Sequence, residues 1–201
     1  MHLVQPLTMM DFFRKSEGKW FTQRTVHHFD SAADESGESN LTITVLEKDD
    51  PKVKEVCEAQ GLDHNKATGG ASFAWQVNLD MRSLEPKNAA ILVDIPTDEG
   101  GRTGKLIRNQ GYVESIPVVS RYRFTDEGVL TIDTDYENNQ GQERCWFITD
   151  DFRVRVSTVR MMNGINLMTY CSERRCVSQE VLEQMINRNL DRVVKGVGSR
   201  E

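Results

Sequence analysis

The chain has 201 residues, 38% of them hydrophobic and 28% charged, and 31 acidic against 25 basic side chains give a formal charge of −6. That length fits one all-β domain or two very small ones, and such a chain buries roughly 70% of its extended surface without needing disulfides or a metal. The acidic balance argues against a general nucleic-acid binder and leaves room only for a local basic pocket, while no apolar run approaches the roughly 18 residues of a spanning helix.

The opening Met1-His2-Leu3-Val4-Gln5-Pro6 has neither the basic start nor the apolar run of a secretory signal, and residues 1–9 read as a loose lead-in. Asp11 to Glu17 then predicts a short helix presenting Phe12 and Phe13, stopped by Gly18. Segments of period two follow near 19–29, 39–47, 70–80, 89–95, 102–109, 116–125, 128–135, 142–149, 152–161 and 165–176. Between the second and third, Asp50-Pro51 to Gln60 predicts a helix, with Pro51 suited to its first turn and Gly61 to its end. Tight connections are marked by Asp126-Glu127-Gly128, Asn138-Asn139-Gln140-Gly141 and Met162-Asn163-Gly164. From Ser178 to about Lys195 a capped helix is predicted, with Leu182, Met185, Ile186, Leu190, Val193 and Val194 on one stripe. That stripe either docks on the chain's own body or forms a subunit contact.

Ten sequential strands with short loops, and helices only at the edges, predict an all-β, antiparallel up-and-down barrel rather than a sandwich with longer Greek-key crossings. A barrel of this size encloses room for one small ligand. The strand faces are unusual. Alternation groups Trp20, Thr22, Arg24, Val26 and His28 on one side of the first strand, and Glu143, Cys145 and Phe147 in the eighth. It also groups Arg153, Arg155 and Ser157 in the ninth strand, and Thr169, Cys171, Glu173 and Arg175 in the tenth. Either these charged sets face water, or they face the interior, where arginines meet a ligand's carboxylates and a buried glutamate meets a cationic nitrogen or donates a proton. Periodicity alone does not choose. If they face inward, the outward faces carry Val and Phe beneath the terminal helix or a partner.

Other chemistry is not supported. Cys57, Cys145, Cys171 and Cys176 stand in no metal-binding spacing and read as reduced thiols of an intracellular protein. His27 and His28 are strand neighbours that point apart, so no metal site is predicted. The glycines of Gly100 to Lys105 lack the spacing of a phosphate loop, and no nucleophile-elbow pattern occurs.

The run Asp11-Phe12-Phe13 through Ser16-Glu17-Gly18-Lys19-Trp20-Phe21-Thr22-Gln23-Arg24-Thr25-Val26-His27-His28 closely resembles the opening of the CpcS/CpeS-type phycobiliprotein lyases, FF-x-x-S-x-G-x-W-F-S-Q-R-T-x-H-H. The match continues at Glu35 to Ser39, Asp50-Pro51, Trp75, Gly104-Lys105-Leu106, Gly111-Tyr112 and Tyr136-Glu137. It ends with Glu143-Arg144-x-Trp146-Phe147, Arg153-x-Arg155-x-Ser157 and Cys171-Ser172-Glu173-x-Arg175, so it covers residues 10–177. Thr22 stands where the family has Ser, the family's WFA-x-P-N stretch reads Trp146 to Asp151, and the extension 178–201 exceeds the usual core.

The resemblance implies a ten-stranded lipocalin- or fatty-acid-binding-protein-like barrel that attaches a linear tetrapyrrole to a phycobiliprotein cysteine through a thioether bond. Carried over by motif, Arg24, Trp75, Arg153, Arg155 and Ser157 are expected to bind the bilin, with His27, Glu143 and Glu173 catalytic. Alternation separates Arg24 from His27, so a bulge, or a role for His28 instead, is the associated expectation. The bilin is expected as substrate, with no permanent cofactor and no metal. Phycoerythrobilin is the favoured bilin, on overall likeness to the CpeS branch. The expected partners are a phycoerythrin or phycocyanin subunit, β in the first instance, and a second copy or a related lyase subunit, with no nucleic acid or membrane. Family occurrence implies the cytoplasm of a cyanobacterium or the plastid of a phycobilin-containing alga. The competing readings are a lipocalin-type bilin carrier and a non-catalytic partner subunit of a heterodimeric lyase.

Overall fold

The computed structural model describes residues 4–30, 34–76, 89–109, 117–161 and 164–176. Its elements are α1 (Met9–Ser16), β1 (Gly18–His28), β2 (Glu35–Glu47), α2 (Pro51–Ala59), a single 3₁₀ turn (His64–Lys66), β3 (Gly69–Gln76), β4 (Ala89–Pro96) and β5 (Thr103–Arg108). Then come β6 (Val118–Phe124), β7 (Leu130–Asp135), β8 (Asn139–Thr149), β9 (Phe152–Met161) and β10 (Gly164–Arg175). Each strand pairs antiparallel with its neighbour in sequence, and β1 pairs with β10 to close the barrel. The ten strands fall where the period-two segments predict them. The terminal helix expected over 178–195 lies outside the described residues.

α1 begins two residues earlier than the apolar spacing predicts. Thr8 caps it by accepting from the Asp11 backbone N–H at 3.2 Å, which brings Met9 and Met10 into the helix, where both are buried. The residues before it are held too: the Gln5 side-chain amide donates to the Phe147 carbonyl at 3.0 Å. Gln5 presses so closely on Gly128, whose φ is +77°, that a Cβ there would lie 2.3 Å from the Gln5 Cβ. The described part of the lead-in, from residue 4, is thus tied to the barrel end rather than loose.

The interior has two characters. At the α1 end, Met9, Phe12 and Phe13 plug the barrel against Leu41, Leu92, Leu106, Leu130, Phe124 and Phe147. A second apolar cluster lies outside the barrel, where Val53, Val56 and Cys57 of α2 pack on Leu46, Val93, Ile95 and Ile107. Inside the α1 end one carboxylate is buried: Asp94 accepts from Tyr122 Oη at 2.7 Å and from Thr68 Oγ1 at 2.5 Å. Gly104 permits this, since a Cβ there would meet the Tyr122 ring at 2.6 Å. Burial raises the Asp94 carboxyl above its ordinary range despite both donors.

Candidate functional site

The register resolves which way the charged faces point. Thr22, Glu173, Arg153 and Phe147 form one lateral row across β1, β10, β9 and β8. Arg24, Cys171, Arg155 and Cys145 form the next, and Val26, Thr169, Ser157 and Glu143 the third. With side chains alternating, all three rows share one face, and residues from each line the central cavity of about 440 Å³. The charged sets therefore face inward. The opposite wall is apolar, built from Leu41, Phe73, Trp75, Leu92, Leu106 and Ile132. The cavity is thus polar along β8, β9, β10 and β1, with Glu38 and Ser39 of β2 continuing that side, and apolar from Leu41 through β3 to β7, a shape and lining suited to a flat organic ligand with charged substituents.

The polar wall is an ordered ion network. Glu173, fully buried, accepts from Arg153 Nε at 2.5 Å and from an Arg155 terminal nitrogen at 3.1 Å. Burial opposes its ionisation, but the Arg153 and Arg155 guanidinia outweigh it and hold the carboxyl below its usual range. Arg153 donates a second time to Ser16 Oγ of α1 at 2.7 Å, and its guanidinium lies 4.7 Å from the Trp20 ring. Arg155 stands nearer the mouth, donating to Glu143 at 3.2 Å as well as to Glu173. Arg24 also lines the cavity and has no ion-pair partner among the described residues. Cys145 and Cys171 lie between these charges, yet burial pushes the Cys145 thiol up to about 12 and raises that of Cys171, so both are protonated and poor nucleophiles.

Seven of the eight residues expected at the site are brought together: Arg24, Trp75, Glu143, Arg153, Arg155 and Ser157 line the cavity, and Glu173 stands behind them, bonded to both arginines. His27 is not among them. It points outward, its side chain 47% exposed and its Nδ1 2.9 Å from Asp34. The pairing of β1 with β10 runs unbroken from Trp20 to His28, so no bulge turns His27 inward. His28 falls on the Arg24 side of β1, with Nε2 3.3 Å from Glu35.

Three residues with structural weight carry no site role in the sequence reading. Ser16 anchors Arg153, the Trp20 indole N–H donates to the Ser16 carbonyl at 2.7 Å, and the Arg175 guanidinium lies 4.4 Å from the Trp20 ring. Arg175 also donates to the Lys15 and Glu17 carbonyls, which tie off the C-terminal end of α1. The signal was present in part, because alternation puts Trp20 on the Arg24 face and Arg175 on the Glu173 face. What a strand pattern does not contain is the helix end that meets them. Among the described residues no three His, Cys, Asp or Glu side chains converge as a metal site, and no helix is long and apolar enough to cross a membrane.

The family model described as CpeS-like protein matches residues 8–176, which is the whole barrel with its plug helix. The chain belongs to the CpeS-like family. It is 67% identical to Chromophore lyase CpcS/CpeS 4 of Trichodesmium erythraeum (strain IMS101), over 96% of this chain and all of that one. It is 46% identical to Chromophore lyase CpcS/CpeS of Synechococcus sp. (strain WH8020), over 90% and 91%. It also resembles the solved S-type phycobiliprotein lyase CPES from Guillardia theta, with a TM-score of 0.70 and 26% identity, over 86% of this chain and 94% of that one. As a CpeS-like protein the chain is a lyase, and its barrel is the lipocalin-like one of that structural relative.

Proposed function

We propose that this CpeS-like lyase holds a phycobilin in the barrel and directs its attachment, as a thioether, to a cysteine of a phycobiliprotein subunit. The observation that carries this reading is the two-sided cavity, with Arg24, Arg155 and Glu143 on one wall and Trp75 with aliphatic side chains on the other. A linear tetrapyrrole has matching chemistry: an extended π-system, two carboxylates and a row of pyrrole nitrogens. Arg24 and the exposed edge of Arg155 take the propionates, helped by Nη2 of Arg153, the nitrogen that its bonds to Glu173 and Ser16 leave over. Ser157, beside Glu143 in the register, adds a hydroxyl. Trp75 lies against the π-system.

Of the two carboxylates, Glu143 at the cavity wall supplies negative charge to the pyrrole nitrogens and favours the protonated, more electrophilic bilin, while Glu173, held ionised behind Arg153 and Arg155, keeps those arginines in place. The client's thiolate adds to the ring-A ethylidene group, forming the C–S bond, and a proton is delivered to the neighbouring ring carbon. His27, on the outer rim, is assigned to the thiol proton of the client rather than to the bilin. The protein's own share is orientation: one face of a floppy electrophile is presented to one incoming thiol. Phycoerythrobilin is the favoured bilin and a β subunit the favoured client. The partner set includes a second copy or a related lyase subunit, and the setting is cyanobacterial cytoplasm or an algal plastid.

The test is co-expression of the chain with bilin-synthesis enzymes and a phycobiliprotein β subunit, with the adduct read by mass spectrometry of the client. A thioether adduct well above the spontaneous background is expected. Background-level adduct with tight bilin binding would reduce the chain to a carrier or a silent subunit.

A further inference from the structure

The outer surface of the barrel is as uneven as its interior. On β6 to β8 it is a ladder of paired charges: Arg121 with Asp135, Arg123 with Asp133, and Gln142 donating to Asp133. On β8, β9, β10 and β1 it is different. Alternation turns Trp146, Phe152, Val154, Val156, Tyr170 and Phe21 outward, because their neighbours Cys145, Arg153, Arg155, Cys171 and Thr22 point in. A depression of about 290 Å³ runs through this patch, lined by Phe21, Gln23, Phe152, Ser172 and Arg174. Tyr170 is 45% exposed, whereas Val154 at the centre is only 5% exposed. The described helices pack elsewhere, α1 against β2 and β3 and α2 against β2, β4 and β5. Arg144 and Arg174 edge the patch, both exposed and without an ion pair among the described residues.

Residues 177–201 lie outside the described part, but their sequence fits this surface. β10 ends at Arg175, on the edge of the patch, and the predicted helix starts at Ser178. Eighteen helical residues span about 27 Å, enough to cross four strands set about 4.8 Å apart. The stripe of Leu182, Met185, Ile186, Leu190, Val193 and Val194 offers the apolar face, and Glu180 and Glu183 bring negative charge towards Arg174 and Arg144. We propose that segment 178–195 docks on the outer face of β8, β9, β10 and β1 of its own chain, backing the wall whose inner face carries Glu143, Arg153, Arg155 and Glu173. The two-residue connection from Cys176 to Val177 gives the segment a high effective concentration at this face, which favours its own chain over a second copy.

Limited trypsin digestion of the full chain, followed at Arg188 and Arg192 by mass spectrometry, tests this. Cleavage there is expected to be at least tenfold slower than in Ile186→Asp, on the segment, and in Tyr170→Asp, at an exposed position that the fold tolerates. Val119→Asp, exposed on the β6 face, is the control and leaves the rate unchanged. Equal rates in the full chain and in both variants would overturn the proposal. So would protection that fades on dilution together with a dimer mass in ultracentrifugation, since a second copy would then be the occupant.

Discussion

Arg153 and Glu173 form an ion pair 2.5 Å long that water scarcely reaches: the two side chains are 3% and 0% exposed. Neither partner stands alone. Arg153 is also held by Ser16 and packed on Trp20, while Glu173 is shared with Arg155. The pair therefore links the plug helix to the ligand wall, and its first role is to fix where Arg155 stands.

Removing one partner strands the other charge. Glu173→Ala is expected to cost about 3–5 kcal/mol of folding stability, read by urea unfolding. The double variant Arg153→Met with Glu173→Leu is expected to lose much less than the sum of the two single changes. Strict additivity would remove the pair from the fold's supports.

Arg24 should separate binding from stability. It is exposed and unpaired among the described residues, so Arg24→Ala is expected to shift stability by no more than about 0.5 kcal/mol. The same change should weaken bilin binding by about 10- to 100-fold through loss of a charged hydrogen bond. Spectroscopic bilin titration beside a melting curve checks both. An unchanged titration would sink the carboxylate assignment.

His27 predicts the opposite split. Since its ring lies outside the cavity against Asp34, His27→Ala should leave bilin affinity within about twofold while slowing adduct formation on the client. Trp75→Ala should instead weaken the bilin complex by about 1 kcal/mol, measured by the same titration. A large affinity loss in His27→Ala would require β1 to turn over when ligand binds.

Two buried carboxylates give opposite slopes of stability against pH. Glu173 has its folded value held below the ordinary 4.5, so its contribution is complete above that pH and is lost as pH falls through the folded value. Asp94 has its folded value raised above the ordinary 3.8, so its ionisation costs stability once pH rises past the folded value, and the cost vanishes below the unfolded one. Melting temperatures between pH 7 and pH 3 should therefore fall less steeply in Glu173→Gln than in the parent. Asp94→Asn, whose amide oxygen accepts from one of the two hydroxyls while its NH2 donates to the other, should gain most at neutral pH. Parallel curves for all three proteins would contradict both assignments.

Strand number and order were legible because half-buried antiparallel strands write their alternation directly into the chain. Arg153, Arg155 and Ser157 could be grouped on one face from sequence, and so could Glu143 with Cys145 and Phe147. Whether that face looked in or out was not legible, because a charged inner wall and a charged outer surface have the same period. The closing register Thr22–Glu173–Arg153 decides it, a contact between the two ends of the barrel that no local window contains. Ser16 and Arg175 stayed hidden for the same reason, as their partners lie across the closure. His27 shows the converse: the motif names the residue but not its side of the strand, and alternation turns it out of the cavity towards Asp34.

The pairing of β1 with β10 also fixes when the site can exist. Trp20 lies opposite Arg175, so the ring of strands stays open on the ribosome until the last strand has emerged. Sheets joined by such distant segments form slowly, because the loop must close before the contacts reward it. The cavity proposed for the bilin therefore closes only once the two ends of the barrel have met.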